Sequence, residues 1–177
     1  QMESRCQQVL QMQGQVNVVG PDGSEQWYAG DTNRQIQWYA SGTVKPVKIE
    51  YSVDNGGNWT VIDGAYNGTA GLNTYNWTPI PNELKSDYCL IKVSDNRTGF
   101  VNDVYDTSNG TFSIRPTLTL SQPTLNANIT AASENTTAIR WSYTGTGISR
   151  VNVEYSLNGG VNWTTIENNV QVANGSF

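Results

Sequence analysis

The chain has 177 residues, 37% of them hydrophobic and only 14% charged, with a formal net charge of -5 and no histidine. Charged residues fall well below the roughly 25% usual in soluble domains. The few Lys and Arg are scattered, which excludes the basic stripe that nucleic acid or anionic lipid demands. Without His there is no Ser-His-Asp or Cys-His triad and no His-ligated zinc site, and no apolar run approaches the ~18 residues of a membrane-spanning helix.

In chain order, SRCQQVLQMQ (Ser4 to Gln13) carries a weak helical stripe and reads equally as the last strand of a preceding unit. Cys6, which lies in it, and Cys89 are the two cysteines; whether they form a disulfide stays open, because pairing needs a geometry that spacing does not give. From Val16 onward no helical period is found. Val47, Ile49, Tyr51 and Val53 alternate with Lys48, Glu50, Ser52 and Asp54, the period of a half-buried strand with one face toward water. Asn55-Gly56-Gly57 then tolerates positive φ, and Trp59 to Ile62 resume the extended pattern, so Val47 to Ile62 reads as a β-hairpin. YNWTPIP follows, then DYCLIKVSD with Cys89, Ile91 and Val93 on one side, and GTFSI closes the unit before a linker at Pro116.

YSVDNGGNWT (Tyr51 to Thr60) returns as YSLNGGVNWT (Tyr155 to Thr164). The likeness extends outward, pairing Ile36 with Ile139, Trp38 with Trp141, Val47 with Val151 and Glu50 with Glu154. Duplication of one unit of about 100 residues, the size of a β-sandwich domain, accounts for this. The expected class is therefore all-β, with tandem immunoglobulin-like antiparallel sandwiches. Residues 1–15 form an N-terminal segment, 16–115 the first sandwich and 116–177 a second, incomplete one. An incomplete sandwich exposes sheet edges, so the chain is expected to be a piece of a longer multi-domain protein; completion by strands from another chain is the alternative.

The chemistry that these residues offer is sparse. Glu50, Asp54 and Asp63 lie on or beside the hairpin, where acids keep an exposed face soluble, and no pair is marked out for glycoside hydrolysis. SDNRTGFVNDVYDTSNG gathers Asp95, Asp103 and Asp106, oxygen ligands that suit Ca2+, though without the spacing of an EF-hand loop; a solvated acidic loop is the simpler alternative, and no other cofactor is expected. Asn-x-Ser/Thr begins at Asn58, Asn67, Asn76, Asn96, Asn109, Asn128, Asn135, Asn162 and Asn174, with Pro79 following the Asn76 sequon. Such density on predicted turns fits a glycosylated extracellular protein. Trp38 and Trp141 take core positions and Trp59 and Trp163 belong to the hairpins, while Trp27 and Trp77, beside Tyr28 and Tyr75, remain open as a carbohydrate platform.

Ser52, Asp54, Gly56 and Trp59 resemble the Asp-box, Ser-x-Asp-x-Gly-x-x-Trp, of sialidases and many secreted β-proteins. Ser156, Asn158, Gly160 and Trp163 match it except at the acid. Physically, the oxygen at position 54 or 158 accepts N–H bonds across the turn, Gly takes the positive φ and Trp covers the hairpin. The exchange of Asp54 for Asn158 disfavours acid–base or metal chemistry common to both copies, and the resemblance implies a structural turn remote from any catalytic centre.

EQWYAGDTNRQIQWYASG, VKIEYSVDNGGNW, YNWTPIP, DYCLIKVSD and GTFSI are together similar to the immunoglobulin-like repeat of fungal Kre9/Knh1-related wall proteins and of long bacterial or archaeal surface proteins. Asp87-Tyr88-Cys89 resembles the Tyr-x-Cys end of an antibody-type strand, but no matching cysteine precedes Trp38, so an antibody-type disulfide is not implied. The resemblance implies a non-catalytic structural or spacer module of a large extracellular or cell-surface protein, such as an S-layer glycoprotein or adhesin stalk. Its partners would be copies of itself, neighbouring domains or glycans. The alternative is a carbohydrate-binding accessory region of a secreted glycoside hydrolase.

Overall fold

A computed structural model describes residues 14–42, 44–97, 104–124, 127 and 139–177. It is an all-β protein, with antiparallel sheets and one parallel strand pair, consistent with β-sandwich architecture. Its strands in chain order are β1 (Gln15–Gly20), β2 (Gln26–Tyr28), β3 (Arg34–Ser41), β4 (Val47–Ser52), β5 (Thr60–Tyr66), β6 (Gly71–Trp77) and β7 (Ser86–Asp95). After them come β8 (Tyr105–Thr107), β9 (Phe112–Arg115), β10 (Thr117–Gln122), β11 (Arg140–Thr144), β12 (Arg150–Tyr155) and β13 (Thr164–Gln171). The one helical turn among the described residues is a 3-10 turn, Val172–Asn174. The Ser4 to Gln13 segment and Cys6 lie outside the described residues.

The chain divides into two compact units. The first takes its described residues from Gln1–Glu25, Gln35–Trp77 and Tyr88–Phe112. There β1, β3 and β6 form one sheet, while β4 runs between β5 and β7 in another, with β8 on β7. Alternation fixes the inward face: Ile36, Trp38 and Ala40 from β3, Val47 and Ile49 from β4, and Cys89, Ile91 and Val93 from β7 are buried, each aliphatic contributing about 1.5–3 kcal/mol by leaving water. The layers meet where the Trp38 ring stands edge-on to Tyr66 of β5, with centroids 5.5 Å apart.

One expectation is corrected here. Glu50 and Ser52, read as facing water, are buried, Glu50 to 5% exposure. β4 is a central strand rather than an edge, so neighbours on both sides shade its outer face. Lys48 Nζ lies 2.9 Å from Glu50 Oε1 and supplies a counter-charge.

The second unit comprises Gln26–Arg34, Thr78–Asp87 and Ser113–Phe177. β2 runs parallel to β9, β10 pairs with β11, and β12 pairs with β13. Trp141, Val153 and Val172 form a buried cluster, with Ile139, Ile148, Val151 and Val170 packed against it. The indole N–H of Trp141 donates to the Val172 carbonyl at 2.8 Å. The loop after β11 is closely held within this unit: Thr144 Oγ1 donates to the Ala29 carbonyl (2.9 Å) and Thr146 Oγ1 to that of Glu83 (3.1 Å). Between them Gly145 has φ 83°, and a Cβ there would come within 2.9 Å of Ala29 Cβ and Pro116 Cα.

Strand registers recur along the chain. Val18 opposes Trp38 with a shift before Gly20, and Leu120 opposes Trp141 with a shift before Gln122. In the hairpins, Ile49 opposes Asp63 and Tyr51 opposes Thr60; Val153 opposes Glu167 and Tyr155 opposes Thr164, with bulges at matching places.

Candidate functional site

The two hairpin turns hold the densest side-chain chemistry of the repeats. In the first, Ser52 Oγ donates to Asp54 Oδ1 (2.7 Å) and accepts the N–H groups of Asp54 (3.2 Å) and Gly56 (2.9 Å). Asp54 in turn accepts from Asn58, through the backbone N–H on Oδ1 (2.8 Å) and the side-chain amide on Oδ2 (2.6 Å). The backbone can turn this tightly because Asn55 and Gly56 take positive φ, 57° and 88°, the left-handed region that Asn and Gly tolerate. Trp59 closes the turn, 3.6 Å from where a Gly56 Cβ would sit.

The second turn repeats all of these bonds but one, the Asn58 side-chain amide on Asp54 Oδ2. Ser156 Oγ donates to Asn158 Oδ1 (3.0 Å) and accepts from the N–H groups of Asn158 (3.3 Å) and Gly160 (2.8 Å). Asn162 N–H donates to Asn158 Oδ1 at 2.8 Å. Gly159 and Gly160 carry the positive φ values, 69° and 89°. The amide oxygen of Asn158 thus does what one carboxylate oxygen of Asp54 does, and the turn needs an acceptor rather than a charge. The Asn58 backbone N–H, then its side-chain amide and the Ser52 hydroxyl, hold the Asp54 carboxyl at about 2, against 3.8 ordinarily.

What differs is the surroundings. Trp59 is half-buried, and Lys92 Nζ of β7 lies over its ring at 5.5 Å and over that of Tyr105 at 5.0 Å, within cation–π range. Trp163 is 60% exposed, its indole N–H donating to the Gly160 carbonyl at 3.0 Å.

The remaining candidates are dispersed. Asp95 is fully buried and takes a fork of hydrogen bonds from the Arg97 guanidinium. Burial pushes its carboxyl up, but the Arg97 side-chain and backbone N–H bonds outweigh that and hold it below the usual range. Asp106 Oδ2 accepts the Val18 N–H at 2.8 Å, and Asp103 lies outside the described residues. Asp95 and Asp106 are therefore each committed to a protein donor. Glu50 is buried beside Lys48, whereas Asp63 accepts the Ala65 N–H at 2.9 Å. Trp27 and Trp77, left open as a platform, are both 5% exposed, so neither offers a ring face to solvent.

Of the sequons, Asn58, Asn67, Asn76, Asn109, Asn162 and Asn174 are exposed, and Asn96 is partly buried with its side-chain amide on the Gly64 carbonyl (2.6 Å). Asn128 and Asn135 lie outside the described residues.

An apolar groove of about 460 Å3 opens in the second unit between β10, β11 and β12, with Leu118, Leu120, Trp141 and Val153 in its walls. No residue pattern in the sequence announces it, since its lining looks like ordinary core; only the exposure of Leu118 and Leu120 gives it away.

No protein-family model matches this chain, and no curated protein matches it.

Proposed function

We propose that the protein is a non-catalytic structural module, a spacer built from tandem immunoglobulin-like sandwiches in a large extracellular surface protein of the S-layer or adhesin-stalk kind. The observation that carries this reading is the recurrence of the hairpin turn's serine and backbone N–H bonds despite the Asp54/Asn158 exchange. A feature kept for its acceptor geometry belongs to the fold, and a fold element repeated along a chain is what a spacer is made of. Matching registers of β1–β3 with β10–β11 and of β4–β5 with β12–β13 support the repeat. Exposed sequons at Asn58, Asn67, Asn109, Asn162 and Asn174 support an extracellular setting.

The 60% exposure of Trp163 favours a second reading, carbohydrate binding as an accessory of a secreted hydrolase, because exposed aromatic faces stack on sugars. A glycan array separates the two. The spacer reading expects no saccharide to bind, and a loss of mass when protein from its own host is treated with an N-glycosidase. Saturable glycan binding that disappears in Trp163→Ala selects the accessory reading instead.

A further inference from the structure

β4 and β12 are equivalent strands with unequal neighbours. β4 is paired on both edges: β5 takes one, and β7 takes the other in a register running from Val47↔Asp95 to Ser52↔Leu90. That second partner does two things. It drives Cys89, Ile91 and Val93 into the core, and it sets Lys92 opposite Glu50 and over the Trp59 ring. β12 pairs with β13 as β4 does with β5, and among the described residues no strand pairs with its other edge. Beside it lies the groove of about 460 Å3, walled by Leu118, Leu120, Trp141, Val153 and Ile166. Leu120 is 61% exposed there. Glu154, the counterpart of Glu50, and Trp163, the counterpart of Trp59, are both exposed.

We propose that the open edge of β12 is an acceptor site for one added β-strand of the β7 type. The occupant runs antiparallel to β12, places aliphatic side chains of alternate residues into the groove, and carries a basic residue opposite Glu154 and over Trp163. β7 identifies it, because that strand already meets an equivalent edge, acid and turn within this chain. Main-chain pairing supplies affinity and the alternate side chains supply selectivity, as in other strand additions. The open edge, the apolar groove and the uncovered tryptophan, three separate irregularities of the second unit, then have one cause. The site stands whether the protein serves as a spacer or binds glycans.

The test uses the whole 177-residue chain and a synthetic peptide of the Ser86–Asp95 sequence with Cys89→Ala to prevent oxidation. Hydrogen exchange should show alternate amides of Arg150–Tyr155 slowed about tenfold or more at saturating peptide, with a blue shift of Trp163 emission and no change in β4. A peptide also carrying Ile91→Asp and Val93→Asp should give neither signal, and Leu120→Asp in the protein, at an already exposed site, should abolish binding while leaving exchange in β3 and β4 unchanged. No slowing at β12 with millimolar peptide overturns the proposal, as does equal binding of the double-Asp peptide. Protection of β12 that grows with protein concentration alone also overturns it, since the edge would then be pairing with its own copy.

Discussion

The first and second hairpins share sequence, turn bonds and register, yet one is half-buried and the other stands in water. Ser52 is 1% exposed, while its counterpart Ser156 is half-exposed. Glu50 is buried and Glu154 exposed. Trp59 lies under Lys92, and Trp163 has 60% of its surface free. Local sequence therefore determines the shape of the turn, and the neighbouring strand determines how much that shape is worth. The same motif is a partly enclosed element in one place and a surface feature in the other.

Substitutions at paired positions can break or sharpen this contrast. The largest effect is expected at the core tryptophans: Trp38→Ala should cost about 3–5 kcal/mol, and Trp141→Ala roughly half that, because Trp141 already borders an open groove. Urea unfolding of both variants checks this, and equal losses would mean that the two cores are equally well packed. Next, Lys48→Met leaves the buried Glu50 without its cation and should cost about 2 kcal/mol, whereas Glu154→Ala should stay within about 0.5 kcal/mol; the same denaturation experiment reads both.

A smaller difference is expected at the turn serines. Ser52→Ala abandons two backbone N–H groups in a partly buried setting and should cost about 1–2 kcal/mol, with Ser156→Ala nearer the lower end because water can replace its hydroxyl. The smallest effect is in pH dependence. Asp54 is held at about 2 against 3.8, so its folded form binds the proton less readily than the unfolded chain. Its contribution is fully present above the unfolded value and is lost as pH falls through about 2. The Asn58 amide shift should titrate with that midpoint in NMR, the Asn162 amide should stay flat, and Asp54→Asn should make the first turn as insensitive as the second.

Much of this fold was legible because alternation and turn residues act locally. DYCLIKVSD put Cys89, Ile91 and Val93 on one side of a strand, and that side is the fully buried one. The shared Ser-x-Asp/Asn-x-Gly-x-x-Trp spacing pointed to one turn written twice. Glu50 was misread because alternation shows which residues share a face but not whether a strand is central or at an edge. The parallel pairing of β2 with β9 was out of reach for a different reason: strands of three and four residues carry no period, and nothing local encodes which distant segment they join. The groove escaped notice because Leu118, Leu120 and Val153 would look the same under a covering strand. As for the acids, nearness in sequence was no guide to their use, since Asp95 turns to Arg97 and Asp106 to the Val18 amide.

The loop at Gly145 bears on how such a sequence can change over generations. With φ at 83° and neighbouring carbons within 2.9 Å of any added Cβ, that position admits almost no replacement. Leu157, at 90% exposure on the second turn, is constrained by nothing comparable. Divergent versions of this chain should accumulate substitutions freely at Leu157 while keeping glycine at 145, so the slowest-evolving point of the second unit would be a residue with no side chain at all.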